Sequence, residues 1–169
     1  MAVLYLLSYS LGILVIDKPF NKFYDIYLHL FLEVQLPKQC KKYIKLNEAS
    51  RNINYGSGGN CDAKGRSTKI NGSARQWYRF FKPAGTRIPD YPPSLNGNKC
   101  GTHATGWLQG GHPESVGQVV SRRICFSNAG EKCWSKSYCQ VANCGSFFVY
   151  QLPSAPSCSF RYCATNKGT

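Results

Sequence analysis

Cysteine spacing constrains this chain more than any other feature. Six of its nine cysteines fall between Cys125 and Cys163. The stretch at 143–163 reads N-C-G-S-F-F-V-Y-Q-L-P-S-A-P-S-C-S-F-R-Y-C, with a strand-like run of Phe147, Phe148, Val149, Tyr150 and Leu152 between its cysteines. Cys40, Cys61 and Cys100 lie far upstream, where they can serve as the distant ends of long cross-links. Such density is uncommon in reducing compartments unless the thiols bind metal or do chemistry. The pattern therefore reads as a stapled extracellular domain tied back onto 143–163. An odd count leaves at least one thiol unpaired or joined to another chain.

Composition sharpens this reading. Eleven tyrosines, nine phenylalanines and three tryptophans in 169 residues fit a small β-rich core that depends on staples. Lysine and arginine number 21 against 8 acidic residues, a net charge of +13. That balance favours polyanionic neighbours such as nucleic acid, heparan-like glycans or acidic lipid surfaces. The basic residues, however, run from Lys18 to Lys167 with no block of five or more. Charge so spread solubilises and steers more than it recognises, and no nucleic-acid partner is expected.

Residues 1–36 differ from the rest. Residues 2–16 form a nearly continuous apolar run of about the length of a signal-peptide core, too short for a membrane span of about 20 residues. It lacks a basic leading region, and its nearest small residues, 10–12, lie inside the apolar run. A second apolar patch at 23–34 carries Asp25, His29 and Glu33 and suits an amphipathic helix. The leader is thus an atypical secretion signal, a membrane tether, or an extension foreign to the mature protein. From 37 onward the chain reads as the module proper, ending at 169.

Within the module, short apolar runs alternate with turn clusters. Gly56-Ser57-Gly58-Gly59-Asn60 precedes Cys61-Asp62, where the Asp62 carboxylate is expected to serve a local turn. Residues 63–75 form a basic polar insert without apolar periodicity, expected to be solvated. The insert holds Asn71-Gly72-Ser73, an N-glycosylation acceptor. Trp77-Tyr78-Arg79-Phe80-Phe81 reads as a core strand with one outward arginine, or with that guanidinium stacked on a ring. Residues 116–126 alternate as a half-buried strand, and 127–131 form a hairpin-like turn. These elements predict an all-β, disulfide-rich antiparallel sheet or sandwich with long loops and an N-terminal apolar appendage of helical character.

Catalytic chemistry finds little support. A cysteine nucleophile needs a histidine base; Cys100 lies near His103 and His112, but a half-cystine beside surface histidines accounts for the same residues. The closest cysteine pairs are five residues apart, wider than the knuckles of zinc sites. No phosphate-binding glycine loop occurs, and no cofactor is expected. The chain reads as non-enzymatic.

Residues 40–163 carry a specific set of marks: Cys40-x-x-Tyr43-x-x-Leu46, Arg51-Asn52, Tyr55, Cys61-Asp62, Trp77-Tyr78-Arg79-Phe80, Ala84-Gly85, Cys100-Gly101-Thr102 and Trp107-Leu108. They continue with His112-Pro113, Arg123, Cys125, Asn143-Cys144, Tyr150-x-Leu152, Cys158 and Arg161-Tyr162-Cys163. In this order they resemble the cysteine-rich module shared by uromodulin, pancreatic zymogen-granule glycoprotein 2 and the liver zona-pellucida-type protein. Carried over position by position, the resemblance implies Cys40–Cys144, Cys61–Cys158, Cys100–Cys163 and a short Cys125–Cys133 link. A further pair found in many members is absent, since 93–94 carry no cysteine and Lys132 replaces the other partner. Cys139 occupies a usually apolar position, and its thiol is either buried or free for another chain.

The resemblance also implies secretion or membrane tethering, and no enzymatic activity. In mammalian members the module displays N-glycans as decoys for bacterial lectins. Here the family's acceptor sites are replaced by Gln109-Gly110-Gly111 and Gln151-Leu152-Pro153, leaving Asn71. The expected function is extracellular recognition or adhesion toward a protein or glycan ligand, with microbial lectins engaged if Asn71 carries sugar. The alternative is a basic extracellular effector for polyanions or membrane surfaces, marked by steep salt dependence.

Overall fold

A computed structural model of the chain describes residues 35–65, 69–70 and 76–166. The apolar leader up to residue 34 and the acceptor Asn71 lie outside this description. Seven strands form one sheet: β1 (Ile44–Leu46), β2 (Tyr78–Phe80), β3 (Ala104–Gln109), β4 (Val119–Asn128), β5 (Glu131–Asn143), β6 (Phe148–Gln151) and β7 (Phe160–Tyr162). Their spatial order is β1-β2-β6-β5-β4-β3-β7. Among the described residues no helix is long and apolar enough to cross a membrane.

The long hairpin of β4 and β5 is the spine. Asn128 faces Glu131 across Ala129 and Gly130, whose φ values of 50° and 85° are those of the two-residue turn that matches strand twist. Period-two alternation then assigns the faces. One face gathers Leu46, Tyr78, Phe80, Leu108, Ile124, Phe126, Val141, Tyr150, Phe160 and Tyr162, all buried in a single cluster. Edge-to-face aromatic pairs lock it: Phe80 with Tyr150 at 5.6 Å and Phe126 with Phe160 at 5.1 Å between ring centres. No second sheet covers this face. Ile70, Ile88, Leu152, Ala155 and Ala164 pack over it from the connections.

Two expectations need correction. The sheet is single and mixed, not an antiparallel sheet or sandwich, because β1 pairs with β2 and β3 with β7 in parallel. A parallel neighbour needs a long crossover, and the long connections that close these pairs are the segments the disulfides cross-link. The insert at 63–75, moreover, is not wholly solvated. Ile70, its one large apolar residue, is fully buried in the core, Ala63 bridges to Ala155, and Lys69 Nζ donates to Asn47 Oδ1 at 2.9 Å. A single apolar residue gives no periodicity to read, yet it supplies a core plug.

The C-terminal stretch draws the rest of the chain together. Isolated bridges join Asn52 to Ala164, Ala63 to Ala155 and Arg87 to Thr165. Four disulfides add covalent ties: Cys40–Cys144, Cys61–Cys158, Cys100–Cys163 and Cys125–Cys133, with Cα separations of 5.7, 5.1, 5.6 and 4.7 Å, within the span a disulfide bridges. Three of them close loops of 104, 97 and 63 residues. In the chain-entropy model, loops of this length each stabilise by about 4–5 kcal/mol. The fourth depends on a fault in the ladder. Regular alternation would send Cys125 and Cys133 to opposite faces, but the register shifts between Phe126 and Asn128, and Trp107 Nε1 pins the irregular stretch by donating to Lys132 O at 2.8 Å. That shift turns Cys133 toward Cys125 and Trp134 onto Phe160, stacked at 5.5 Å.

Candidate recognition surface

The opposite face of the sheet is closed at one side and open at its centre. On the closed side, the Cys40–Cys144 bridge packs with Ala142 and Val149, and Tyr43, Trp77 and Phe147 lie against it. Arg79 sits within this aromatic group. Its guanidinium carbon lies 3.5 Å from the centre of the Phe147 ring and 4.4 Å from that of Phe81, and Nη1 donates to Tyr43 Oη at 2.8 Å. The outward-arginine reading therefore gives way to the stacked one: a cation held among rings keeps its charge near their negative faces while its edge hydrogen-bonds.

At the centre, β3, β4 and β5 present a polar band to solvent. Register places Gln109, Arg123 and Tyr138 in one cross-strand row, and Ser121 beside Gln140 in the next. Arg123 Nη1 donates to Gln109 Oε1 at 3.2 Å, and its guanidinium lies 5.9 Å from the Tyr138 ring centre. Lys136, one step along β5, is exposed as well. Tyr138 is 60% exposed, a large value for an aromatic on a strand. The band thus offers an aromatic plate, two cations, two amides and no carboxylate. It can hold a polar or anionic partner by stacking and directional hydrogen bonds, and it contains no nucleophile or base.

Three residues weighed for chemistry have structural roles. Cys100 is bridged to Cys163, so it carries no thiol for His103, which is exposed. His112 has a buried side chain: Nδ1 lies 2.6 Å from Arg87 Nη2, and Nε2 lies 2.7 Å from Tyr150 Oη. Because a guanidinium only donates, Nδ1 accepts and Nε2 carries the proton. Burial first, then the Arg87 charge, lowers the His112 pKa to about 3, leaving the ring neutral. Cys139 is a free, buried thiol, and burial pushes its pKa up to about 12, which makes it a small hydrophobe rather than a thiolate. Among the described residues no three His, Cys, Asp or Glu side chains gather as a metal site would require.

The sequence reading of Asp62 as a local turn-former also needs correction. Its carboxylate receives Arg51 Nη1 and Nη2, each at 2.7 Å, and the Tyr162 amide at 3.0 Å. Arg51 is only 2% exposed, and its Nη1 and Nε further reach Tyr162 O at 3.2 Å and Glu48 Oε2 at 3.1 Å. Burial works against the guanidinium charge, but Asp62 and then Glu48 outweigh it and raise the Arg51 pKa. This pair joins the first third of the chain to β7. Next to it, Arg161 Nη1 donates to Ser50 Oγ at 2.9 Å and Cys100 O at 3.1 Å, where Cys100 and Gly101 adopt φ values of 45° and 69°. A side chain at Gly101 would run into Asn60 and Arg161 as well as into strain. Asn143, quoted only as a motif letter, proves to be a brace: Nδ2 donates to Pro113 O at 2.9 Å and Glu114 O at 3.0 Å, and Oδ1 accepts from the Gly145 amide at 2.8 Å.

Comparison with known proteins points the same way. The profile of the uromodulin-like cysteine-rich domain matches residues 78–164, which hold β2 to β7 and the band between them. Uromodulin of Mus musculus is 35% identical over 126 residues, covering 73% of this chain and 18% of the relative. The pancreatic secretory granule membrane major glycoprotein GP2 is 35% identical over 126 residues in Canis lupus familiaris and 36% over 131 in Rattus norvegicus, covering 23% and 22% of those proteins. The chain thus spans about a fifth of the length of the curated relatives it matches. With its disulfide-framed sheet and this match across most of it, the chain belongs to the uromodulin-like domain family, whose members are extracellular.

Proposed function

We propose that this chain is a non-enzymatic module for extracellular recognition or adhesion, and that it engages a protein or glycan partner through the open band of β3, β4 and β5. The observation that carries this reading is the contrast between the two sheet faces. One face and the closed side of the other hold the core, so the exposed Gln109, Ser121, Arg123, Lys136, Tyr138 and Gln140 have no packing role that explains them. An exposed tyrosine beside an arginine is the pairing that dominates many binding hot spots. In this reading residues 1–36 are a leader, as a signal or tether, and 37–169 are the module. A glycan on Asn71 is the route by which microbial lectins would bind.

The test is binding of the secreted chain to arrayed extracellular proteins and glycans, repeated with Arg123→Ala/Tyr138→Ala. Saturable binding that falls about tenfold or more in the double variant, with unchanged melting, is the expected result. Binding that survives the double variant removes the band from the proposal. The second reading, a basic effector for polyanions or membranes, rests on Arg123 and Lys136 lying in a band without carboxylates. It predicts binding that collapses between low and physiological salt and follows charge density rather than ligand identity.

A further inference from the structure

A cavity of about 330 Å³ opens beside the closed side of the sheet, away from the band. Trp77 and Tyr43 form its aromatic walls, Gln39 and Gln76 supply amides, and Lys38 and Lys42 stand at its rim. We propose that this cavity binds an anionic saccharide, one carboxylated or sulfated pyranose ring seated on the Trp77–Tyr43 walls with its charge between the two lysines. The inference deepens the recognition reading by naming a ligand class and a second place on the module.

The cavity is built rather than incidental. Its floor is fixed by the parallel pairing of β1 with β2, where the Ile44 amide donates to Trp77 O at 2.8 Å. Arg79 holds Tyr43 through its hydroxyl at 2.8 Å, and Phe147 meets the Tyr43 ring edge-on at 5.8 Å. The tight turn Lys38–Cys40 is closed by the Cys40 amide donating to Pro37 O at 2.8 Å and is anchored by Cys40–Cys144. A preorganised wall loses little freedom when it is occupied.

Charge and shape choose the ligand. Residues 35–47 contain four lysines and no acidic residue. Among the described residues neither Lys38 nor Lys42 has an ion-pair partner. Two such ammoniums beside a pocket attract an anion and give it free donors. The volume lies at the small end of the roughly 300–1,000 Å³ typical of ligand sites, which suits one ring rather than a peptide segment. Aromatic walls take the apolar face of a pyranose, and the amides match its hydroxyls. An acidic peptide would use the lysines but leave the aromatic walls unfilled.

The test follows the indole Nε1–H resonance of Trp77 in the disulfide-formed chain, assigned with Trp77→Phe, during titration with N-acetylneuraminic acid, glucose 6-sulfate and neutral galactose. At least one of the anionic sugars should shift it saturably at millimolar concentration, and the two arms tell carboxylate from sulfate. Galactose should bind at least about tenfold more weakly, and Lys38→Gln/Lys42→Gln should cost a similar factor without changing the melting temperature. Four results overturn the proposal: no shift at saturating sugar, equal binding of galactose, an unaffected double-lysine variant, or an Asp-Asp dipeptide that competes equally well. A silent cavity in a chain that still binds partners through Arg123 and Tyr138 would remove this site and leave the recognition reading in place.

Discussion

Removing the Asp62 carboxylate isolates a charge that the fold has buried. In Asp62→Asn the Arg51 guanidinium, 2% exposed, loses both of its 2.7 Å contacts with an anion and keeps only Glu48 at 3.1 Å and Tyr162 O at 3.2 Å. Breaking a buried pair from one side costs about 3–5 kcal/mol. The Tyr162 amide retains an acceptor in asparagine, so the loss reflects the orphaned charge. Arg51→Met leaves Asp62 buried with the Tyr162 amide alone among these contacts, and the same range applies. The double variant Arg51→Met/Asp62→Leu removes both charges. Replacing a buried pair with apolar residues is often neutral, and what remains is the Tyr162 amide without its acceptor, about 1–3 kcal/mol. The double variant should therefore be more stable than either single one, with a coupling energy of at least about 2 kcal/mol. Urea unfolding at pH 7 under non-reducing conditions measures it, because the four disulfides then constrain the unfolded chain equally in every variant. Single variants that each lose under about 1 kcal/mol, or that simply add in the double, would refute the reasoning.

Three further perturbations have defined outcomes. The His112 pKa is depressed to about 3 from 6.5, so between those values the unfolded chain binds a proton that the native chain does not. Stability should then fall as pH drops from about 6.5 toward 3, by up to about 1.4 kcal/mol per pH unit; urea midpoints of His112→Gln should be flatter over pH 4–6, and parallel curves would contradict the assignment. The buried Cys139 thiol should resist alkylation at pH 8 in the native chain and react once urea unfolds it; stoichiometric native labelling would show that it is exposed. Arg79→Ala removes the cation from among Phe147, Phe81 and Tyr43 and should cost about 1–2 kcal/mol, with Arg79→Lys recovering part of it; thermal or urea unfolding reads the difference.

Local chemistry was legible in the sequence where it decides the structure. The hairpin at 128–131, the core strand around Tyr78 and Phe80 and the role of 143–163 as an anchoring segment all follow from turn residues and apolar runs. The cysteine partners were legible only through the resemblance, since spacing alone admits many pairings. Features set by residues far apart in sequence left no local mark. Nothing near Asp62 points to Arg51, 11 positions away, or to Tyr162, 100 positions away. The parallel placement of β1 and β7 depends on long cross-linked connections that carry no periodicity. Of the candidate surface, Arg123 was visible as a motif residue, whereas Tyr138 became notable only once the sheet showed which face stays open. The cavity by Trp77 needed the Cys40–Cys144 bridge to bring a lysine turn beside a strand.

Peptide mapping without reduction, on protein secreted by a eukaryotic host and read with and without glycosidase, tests most directly that this is an extracellular module framed by disulfides. The account predicts Cys40–Cys144, Cys61–Cys158, Cys100–Cys163 and Cys125–Cys133, a lone thiol at Cys139, and a glycosidase-sensitive mass on the peptide bearing Asn71. Reduced cysteines, or a chain retained inside the cell, would contradict both the compartment and the function proposed for it.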